Sequence, residues 1–348
     1  NKIMTKNSLK NGPDELGYYG EGERAMGGMA VGETLMPALH ELNLAFEDAI
    51  KDKAFLDEFA YYCKHYIGRP SPLYYAENLS NKLGGAKILF KQEHLNHTGS
   101  HKITNSLFQV LLAKRMGKKN LICESGAGQH YSATAAVAAK FGIPLIGVMG
   151  EVDIKRVNQN IIKAKHYGAK LKAVPGTLKE AITDAIKTWI TNPDYYYVCG
   201  SAVSSFPFPK IVQFAQSIIG REIREQCLEQ EKKLPNMIIG CVGGGSNFIG
   251  SIHEFLDETS IKKIGVEAAE TAALTHGTPN IMQGMKSYML ASSDGSKSLG
   301  GSSLGAGIQY FGVGPQHSYL KDQGAVTYTS ATDKEILNAY KVVAQSEG

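Results

Sequence analysis

The sequence predicts an α/β fold built of mostly parallel sheets covered by helices on both faces. Three observations predict it. Short apolar runs alternate with helical patterns from about residue 85 onward, glycines follow several of those runs, and apolar residues make up 43% of the chain against 20% charged. A chain of 348 residues has room for one large α/β unit or for two domains. No Pro/Gly-rich linker, internal repeat or low-complexity tail divides it, so two domains would pack closely against each other.

In chain order, the segment from "GETLMPALHEL" to "YYAENL" reads as two amphipathic helices that end at the "GRPSPL" break. "AKILFK" (86–91), "NLICES" (120–125), "IPLIGVMG" (143–150), "AKLKAV" (169–174) and "YYYVCG" (195–200) read as strands. "NMIIGCVGGG" (236–245) and "IKKIGVEAA" (261–269) continue the series. Between them, "HYSATAAVAAKFG", "DIKRVNQNIIKAKHYG" and "TLKEAITDAIKTWI" have helical spacing, and two of the three close on a glycine. Sheets of this kind bind ligands at the carboxyl ends of their strands, where loops lead into helix starts.

Composition excludes several roles. The net charge of +4 is small and the 37 basic residues are scattered, so neither a nucleic-acid groove nor a polybasic membrane patch is expected. No apolar run approaches a membrane span, and no apolar leader opens the sequence. Five widely spaced cysteines (Cys63, Cys123, Cys199, Cys227, Cys241) form no CxxC pair, which fits a reducing cytoplasm better than a disulfide framework. His94, His97 and His101 lack the spacing of a zinc site on one helix.

Three strand-to-helix junctions carry the chemistry. In "CVGGGSN", an apolar strand runs into Gly243, Gly244 and Gly245, then Ser246 and Asn247 open a helix. Glycines admit a ligand close to the backbone, and free N–H groups at a helix start favour an anion. The spacing is neither a Walker loop nor GxGxxG, so one small phosphate suits it best. "ESGAGQHYSATAA" forms a second glycine loop, able to cradle a carboxylate, with Glu124 at the strand's carboxyl end. "HLNHTGSHKITN" puts Lys102 at the mouth of a third helix. Read singly, each has a plain alternative: a tight turn, a capping carboxylate, a solvated lysine. Read together, a lysine near a phosphate cup suggests pyridoxal phosphate bound as a Schiff base, with the lysine pKa lowered by burial or neighbouring charge.

These motifs, with "LMPALHEL", "LLAKRMGKK", "SIIGREI", "GVEAA" and "GVGPQH" in the same order, resemble the tryptophan synthase β-subunit family of fold-type II pyridoxal-phosphate enzymes over nearly the whole chain. The resemblance implies two packed three-layer α/β/α domains with the active site between them. It assigns residues 1–66 and 101–213 to an N-terminal domain whose region of about 117–200 closes over the site, and 67–100 with 214–348 to a C-terminal domain holding the phosphate cup. It makes Lys102 the Schiff-base lysine and Glu124 the acid–base residue. His101, Gly243, Gly244, Gly245, Ser246, Asn247 and Glu347 become cofactor contacts, with the pyridine-nitrogen serine expected past the end at Gly348. Ser125, Gly126, Ala127, Gly128, Gln129, His130 and Gln309 become substrate contacts. Arg156 is implied as a gating residue and Lys179 as a partner to the α subunit. Carbonyls of Gly243, Tyr310 and Gly312 match a site for a monovalent cation, Na+ or K+.

The implied reaction is replacement of the L-serine hydroxyl by indole, giving L-tryptophan and water, in a cytoplasmic β–β homodimer that joins α subunits as α2β2. Departures from the family pattern fall at Gln309 for an aspartate, "SSFPFP" (204–209) with Phe206, Tyr131 for a glycine, Ser125 for a threonine, and Ala30 and Gly32 near the expected α-subunit face. They leave open another β-replacement with a donor such as O-phosphoserine, serine deamination, or a silent activator of an α subunit. The segment "MQGMK" (282–286) is expected to line the acceptor pocket.

Overall fold

The computed structural model describes residue 10, residues 12–292, residue 299 and residues 301–348; residues 1–9 and 11 of the expected N-terminal domain lie outside the described residues. Two short strands, Tyr18–Tyr19 (β1) and Met26–Gly27 (β2), precede the helices Met36–Ala49 (α1) and Lys53–Tyr62 (α2). The helix pair forms where the sequence predicts it, and Asp52 caps α2 by accepting from the Ala54 N–H. Leu73–Tyr75 (β3), Glu77–Leu83 (α3) and Leu89–Lys91 (β4) follow, and β3 pairs antiparallel with β4.

The next stretch alternates helix and strand, broken only where two helices follow one another: Lys102–Arg115 (α4), Asn120–Glu124 (β5), Gln129–Phe141 (α5), Leu145–Gly150 (β6), Glu151–Ile154 (α6), Asn158–His166 (α7), Lys170–Val174 (β7), Leu178–Thr191 (α8) and Tyr195–Tyr197 (β8). Its strands make one parallel sheet in the order β7-β6-β5-β8. Crossover helices force that parallel arrangement. The expected strand at 195–200 stops at Tyr197, because the chain there turns to serve the site.

Phe208–Gln216 (α9) and Ile218–Glu231 (α10) lead to Met237–Cys241 (β9), Ser246–Ile252 (α11), Lys262–Ala268 (β10) and Ala273–His276 (α12). After the hairpin Thr278–Met282 (β11) and Met285–Met289 (β12) come Pro315–Asp322 (α13), Thr327–Ala331 (β13) and Asp333–Glu347 (α14). A second parallel sheet has the order β13-β10-β9. The antiparallel sheet β1-β2-β12-β11 is not legible in the sequence; its strands run two to five residues, too short for a period-2 pattern to stand out.

Among the described residues two large apolar cores form, with a small third cluster of Val203, Met282, Met285 and Met289. The first packs residues from Leu39 to Ala215, with Phe108 of α4 meeting Phe46, Phe55, Phe59 and Phe214 at ring-centroid distances of 5.2–6.0 Å. The second gathers Leu73, residues from Ile219 to Val326, and Tyr19 and Met26 from β1 and β2. No helix among the described residues is long and apolar enough to cross a membrane.

Candidate active site

One cavity is lined from both parts of the chain: Lys102, Glu124, the 125–130 loop and Gly200, Ser201 and Val203 on one side, Gly244 and 306–310 on the other. Three strand ends converge there, as parallel sheets dictate.

Lys102 is the first residue of α4, and its Nζ donates to the Gly200 carbonyl. Burial lowers its pKa, against the attraction of Glu124. Glu124 ends β5; its Oε1 accepts from the Gly200 N–H at 2.9 Å, while Oε2 is buried with no hydrogen-bond partner among the described residues. Burial raises its pKa, opposed by the Tyr197 phenol beside it and by that N–H. Gly200 therefore touches the amine through its carbonyl and the carboxylate through its N–H. Nothing in the sequence signals this, since Gly200 reads there as the close of a strand.

The three glycines of the expected cup join β9 to α11, and Gly244 lines the cavity. Gly245 has φ +90° and caps α11, and a Cβ there would collide with the His317 ring; one on Gly244 would collide with the Ser201 hydroxyl. Gly243 lies against Ile308. His101 Nε2 is 3.1 Å from Ser246 Oγ, and burial holds its pKa well below the usual imidazole range. The Asn247 amide turns back to the Cys241 carbonyl at 3.0 Å. His317 is a site residue that sequence reasoning misses. Its Nε2 donates to the Gly245 carbonyl at 2.7 Å and its Nδ1 accepts from Tyr328 at 2.8 Å, so the ring is neutral and its pKa is lowered to about 4 by burial.

In the second glycine loop, Ser125, Gly126, Ala127, Gln129 and His130 line the cavity. Gly128, with φ +77°, caps α5 behind Asn160, and Asn160 Nδ2 donates to the Ala127 carbonyl at 2.9 Å. Gln129 Oε1 is buried with no partner among the described residues. His130 has its nitrogens engaged by protein: Nε2 donates to the Val198 carbonyl at 2.8 Å, and Nδ1 lies 3.4–3.5 Å from the Thr134 and Ser106 hydroxyls. Burial drives its pKa down to about 3, so it is neutral.

Of the departures noted in the sequence, Gln309 and Ser125 line the cavity. Gln309 Oε1 accepts from Arg156 Nη1 at 2.9 Å, and Arg156 Nη2 donates to the Ser303 carbonyl at 2.9 Å. Tyr131 is fully buried with its ring over Gly147, where any Cβ would clash. Phe206 packs against Gly17. Both belong to packing rather than to the cavity wall.

Two expected stretches lie outside the lining of this cavity. Residues 282–286 are the facing ends of β11 and β12 with their two-residue turn and do not line the cavity; Gln283 reaches it only by donating to the Tyr310 hydroxyl at 3.2 Å, and the apolar wall comes from Leu178, Ile182 and Val203. Glu347 is not a lining residue either: its carboxylate accepts from Tyr74 and from the Leu79 N–H at 2.7 and 2.6 Å, where α14 packs on α3. Lys179 is exposed on α8, its ammonium 5.9 Å from the Phe311 ring centroid. Tyr310 lines the cavity, and Gly312 bridges to Met289.

Comparison with known proteins agrees with this geometry. A family model described as "Pyridoxal-phosphate dependent enzyme" matches residues 65–348. The tryptophan synthase beta chain of Allorhizobium ampelinum is 47% identical over 360 aligned positions, covering 100% of this chain and 87% of the relative. That of a Methylobacterium species is 46% identical with the same coverage. Among solved structures, a fungal L-serine ammonia-lyase from Rhizomucor miehei superposes with a TM-score of 0.62 at 20% identity, covering 79% of this chain and 80% of that one. A threonine deaminase from T.th. gives 0.60 at 19% identity, covering 88% and 85%; at such identities the likeness concerns the fold. Matched along its whole length at nearly half its positions, with lysine, carboxylate and glycine cup around one cavity, the chain belongs to the tryptophan synthase beta chain family of pyridoxal-phosphate dependent enzymes.

Proposed function

We propose that this protein is a lyase that joins L-serine and indole into L-tryptophan and water, using pyridoxal 5′-phosphate. The observation that carries the reading is the arrangement at Gly200: a half-buried amine and a buried carboxylate face one cavity beside a cup that admits no Cβ. These residues fit the cofactor. Lys102 would hold its aldehyde carbon, and His101, Gly243, Gly244, Gly245, Ser246 and Asn247 its phosphate. Once bound, it supplies an electron sink for the substrate α-carbon.

The chain's own groups then divide the work. The loop from Ser125 to His130, with the N–H groups at the start of α5, holds the substrate carboxylate. Lys102 Nζ takes the α-proton and later returns it. Glu124 Oε2 delivers a proton to the departing hydroxyl and afterwards accepts the indole N–H. Leu178, Ile182 and Val203 offer indole an apolar wall that also keeps water away. Arg156 and Gln309 join residues 150–160 to 301–309 and would gate the site.

The coupling to partners is part of the same reading. A β–β homodimer, an α subunit docked near Ala30, Gly32 and exposed Lys179, and a monovalent cation on the carbonyls of Gly243, Tyr310 and Gly312 would complete a cytoplasmic α2β2 enzyme. A second reading is favoured by one detail: the Arg156 guanidinium donates to uncharged acceptors, Gln309 and the Ser303 carbonyl. A donor with an anionic leaving group, such as O-phosphoserine, would find a cation there that no carboxylate at position 309 neutralises.

The test is spectroscopic and chemical. Purified protein with pyridoxal phosphate should develop a visible absorbance band that shifts with L-serine, and tryptophan should accumulate once indole is added. A shift followed by pyruvate alone would establish deamination instead. A kcat/KM for O-phosphoserine well above that for serine would establish the second reading, and no band at all would leave a silent partner of an α subunit.

A further inference from the structure

Three side chains on one face of α4 grip the segment that follows β8. Lys102, Asn105 and Gln109 stand at i, i+3 and i+7 and so share a helix face. Lys102 reaches the Gly200 carbonyl, but the other two reach Cys199. Gln109 is fully buried, and neither it nor Asn105 lines the cavity. Cys199 lies two residues past β8, the edge of its sheet, and its backbone groups have no strand neighbour among the described residues. Gln109 takes that neighbour's place. Its Oε1 accepts from the Cys199 N–H at 3.0 Å, and its Nε2 donates to the Cys199 carbonyl at 2.7 Å and to Asn105 Oδ1 at 2.8 Å. Asn105 Nδ2 adds a second donor to the same carbonyl at 2.8 Å.

That carbonyl and the Gly200 N–H belong to one peptide group, which is planar and rigid. Fixing the oxygen by two amide donors therefore fixes the direction of the N–H, and that N–H is the one holding Glu124 Oε1. We infer that Gln109, backed by Asn105, is a positioning residue for the catalytic carboxylate, acting through the Cys199–Gly200 peptide plane. It sets where Oε2 points by securing Oε1. A free plane would rotate, and Glu124 would lose the donor that favours its ionised form.

The inference rests on the reading of Glu124 as the acid–base group, and its test separates the two. The full chain is titrated by infrared difference spectroscopy, with the Glu124 carboxyl band assigned by Glu124→Gln, and kcat and KM are measured on the loaded enzyme. Gln109→Met, similar in volume but without hydrogen bonds, should move the Glu124 midpoint upward and lower kcat by about 10- to 100-fold, with the KM for the amino-acid donor little changed. Gln109→Glu should return both toward wild type, because a buried carboxyl stays protonated and can both donate and accept. If the Met variant does not fold, Asn105→Ala, which removes the other donor on the same oxygen, carries the measurement. An unmoved Glu124 midpoint in these variants, or a Glu variant as displaced as the Met variant, overturns the positioning role. A wild-type protein that makes no tryptophan would sink the proposed reaction and leave the infrared result standing.

Discussion

Glu124 shows how much one residue's surroundings decide. One oxygen is held by the Gly200 N–H and the other is buried with no partner among the described residues, in a pocket that raises the pKa by burial. The neutral acid therefore persists above the usual carboxylate range. Protonation of a departing hydroxyl requires that form, so turnover limited by this step should fall as pH rises through the raised pKa. Glu124→Gln keeps the shape and removes the proton. Its kcat should drop by about 10²–10⁴-fold and lose that pH limb, while the cofactor's absorbance band remains; unchanged turnover would dismiss Glu124 as the acid. Glu124 and the glycine cup are legible in the sequence because each sits within a few residues of a strand end and a glycine, and Lys102 because it opens a helix just after Gly99. Gln109 is not, because it hides in the apolar run "LFQVLLA" and the backbone it holds, at Cys199, lies 90 residues away. His130 is half legible: the sequence shows its place in the loop, but not that its nitrogens are occupied by Val198, Ser106 and Thr134.

At the scale of elements, a buried charge cluster joins pieces that belong to different cores. Arg69, 5% exposed, donates through Nη1 to Glu222 of α10 at 2.8 Å, through Nη2 to Glu93, and through Nε to the Thr104 hydroxyl of α4 at 3.0 Å. Lys91 of β4 adds a 2.6 Å pair with Glu222. Thr104 lies two residues after Lys102, so the cluster ties the start of α4 to the β3–β4 hairpin and α10. Such a cluster says little about net stability when intact, but removing one partner strands the others. Arg69→Met should cost about 3–5 kcal/mol, read from urea unfolding, with Lys91 softening the loss at Glu222. Adding Glu93→Gln should recover part of it; a neutral single variant would mean the carboxylates are solvated without Arg69. In the sequence, "GRPSPL" reads only as a break, since charges drawn from residues 69, 91, 93 and 222 have no common period. The parallel strands β5 to β10 are legible because each is an apolar run closed by a turn, whereas β13, "TYTSA", has no such run and is not read as a strand. Only their ends are overextended in the sequence reading, by one to four residues, and the furthest at β9.

The whole molecule places its site between two cores, and that placement buries histidines that have no access to protons while the fold is intact. His317 is the clearest. It is fully buried in stacking contact with Phe248 of the second core, and both nitrogens are committed, one to the cup at Gly245. Its pKa is about 4 when folded against 6.5 for the free side chain, so between those values the unfolded chain binds a proton that the folded one refuses. The sign follows: stability contributed by neutral His317 is complete above pH 6.5 and is lost as pH falls toward 4, at up to about 1.4 kcal/mol per pH unit and about 3 kcal/mol in all. His130 and His101 act in the same direction, whereas Glu124 and Glu267, raised by burial, act against them. The total slope is therefore a sum of opposing protons, and only a difference isolates one. His317→Gln can still donate to Gly245 and accept from Tyr328 but cannot titrate. Urea unfolding at about pH 7.5, 6 and 5 should show the variant losing less stability than wild type over this range, by nearly one proton's worth of slope between the two lower values. Parallel curves for the two proteins would mean that His317 takes up its proton in the folded state, and that the floor of the glycine cup is open to water.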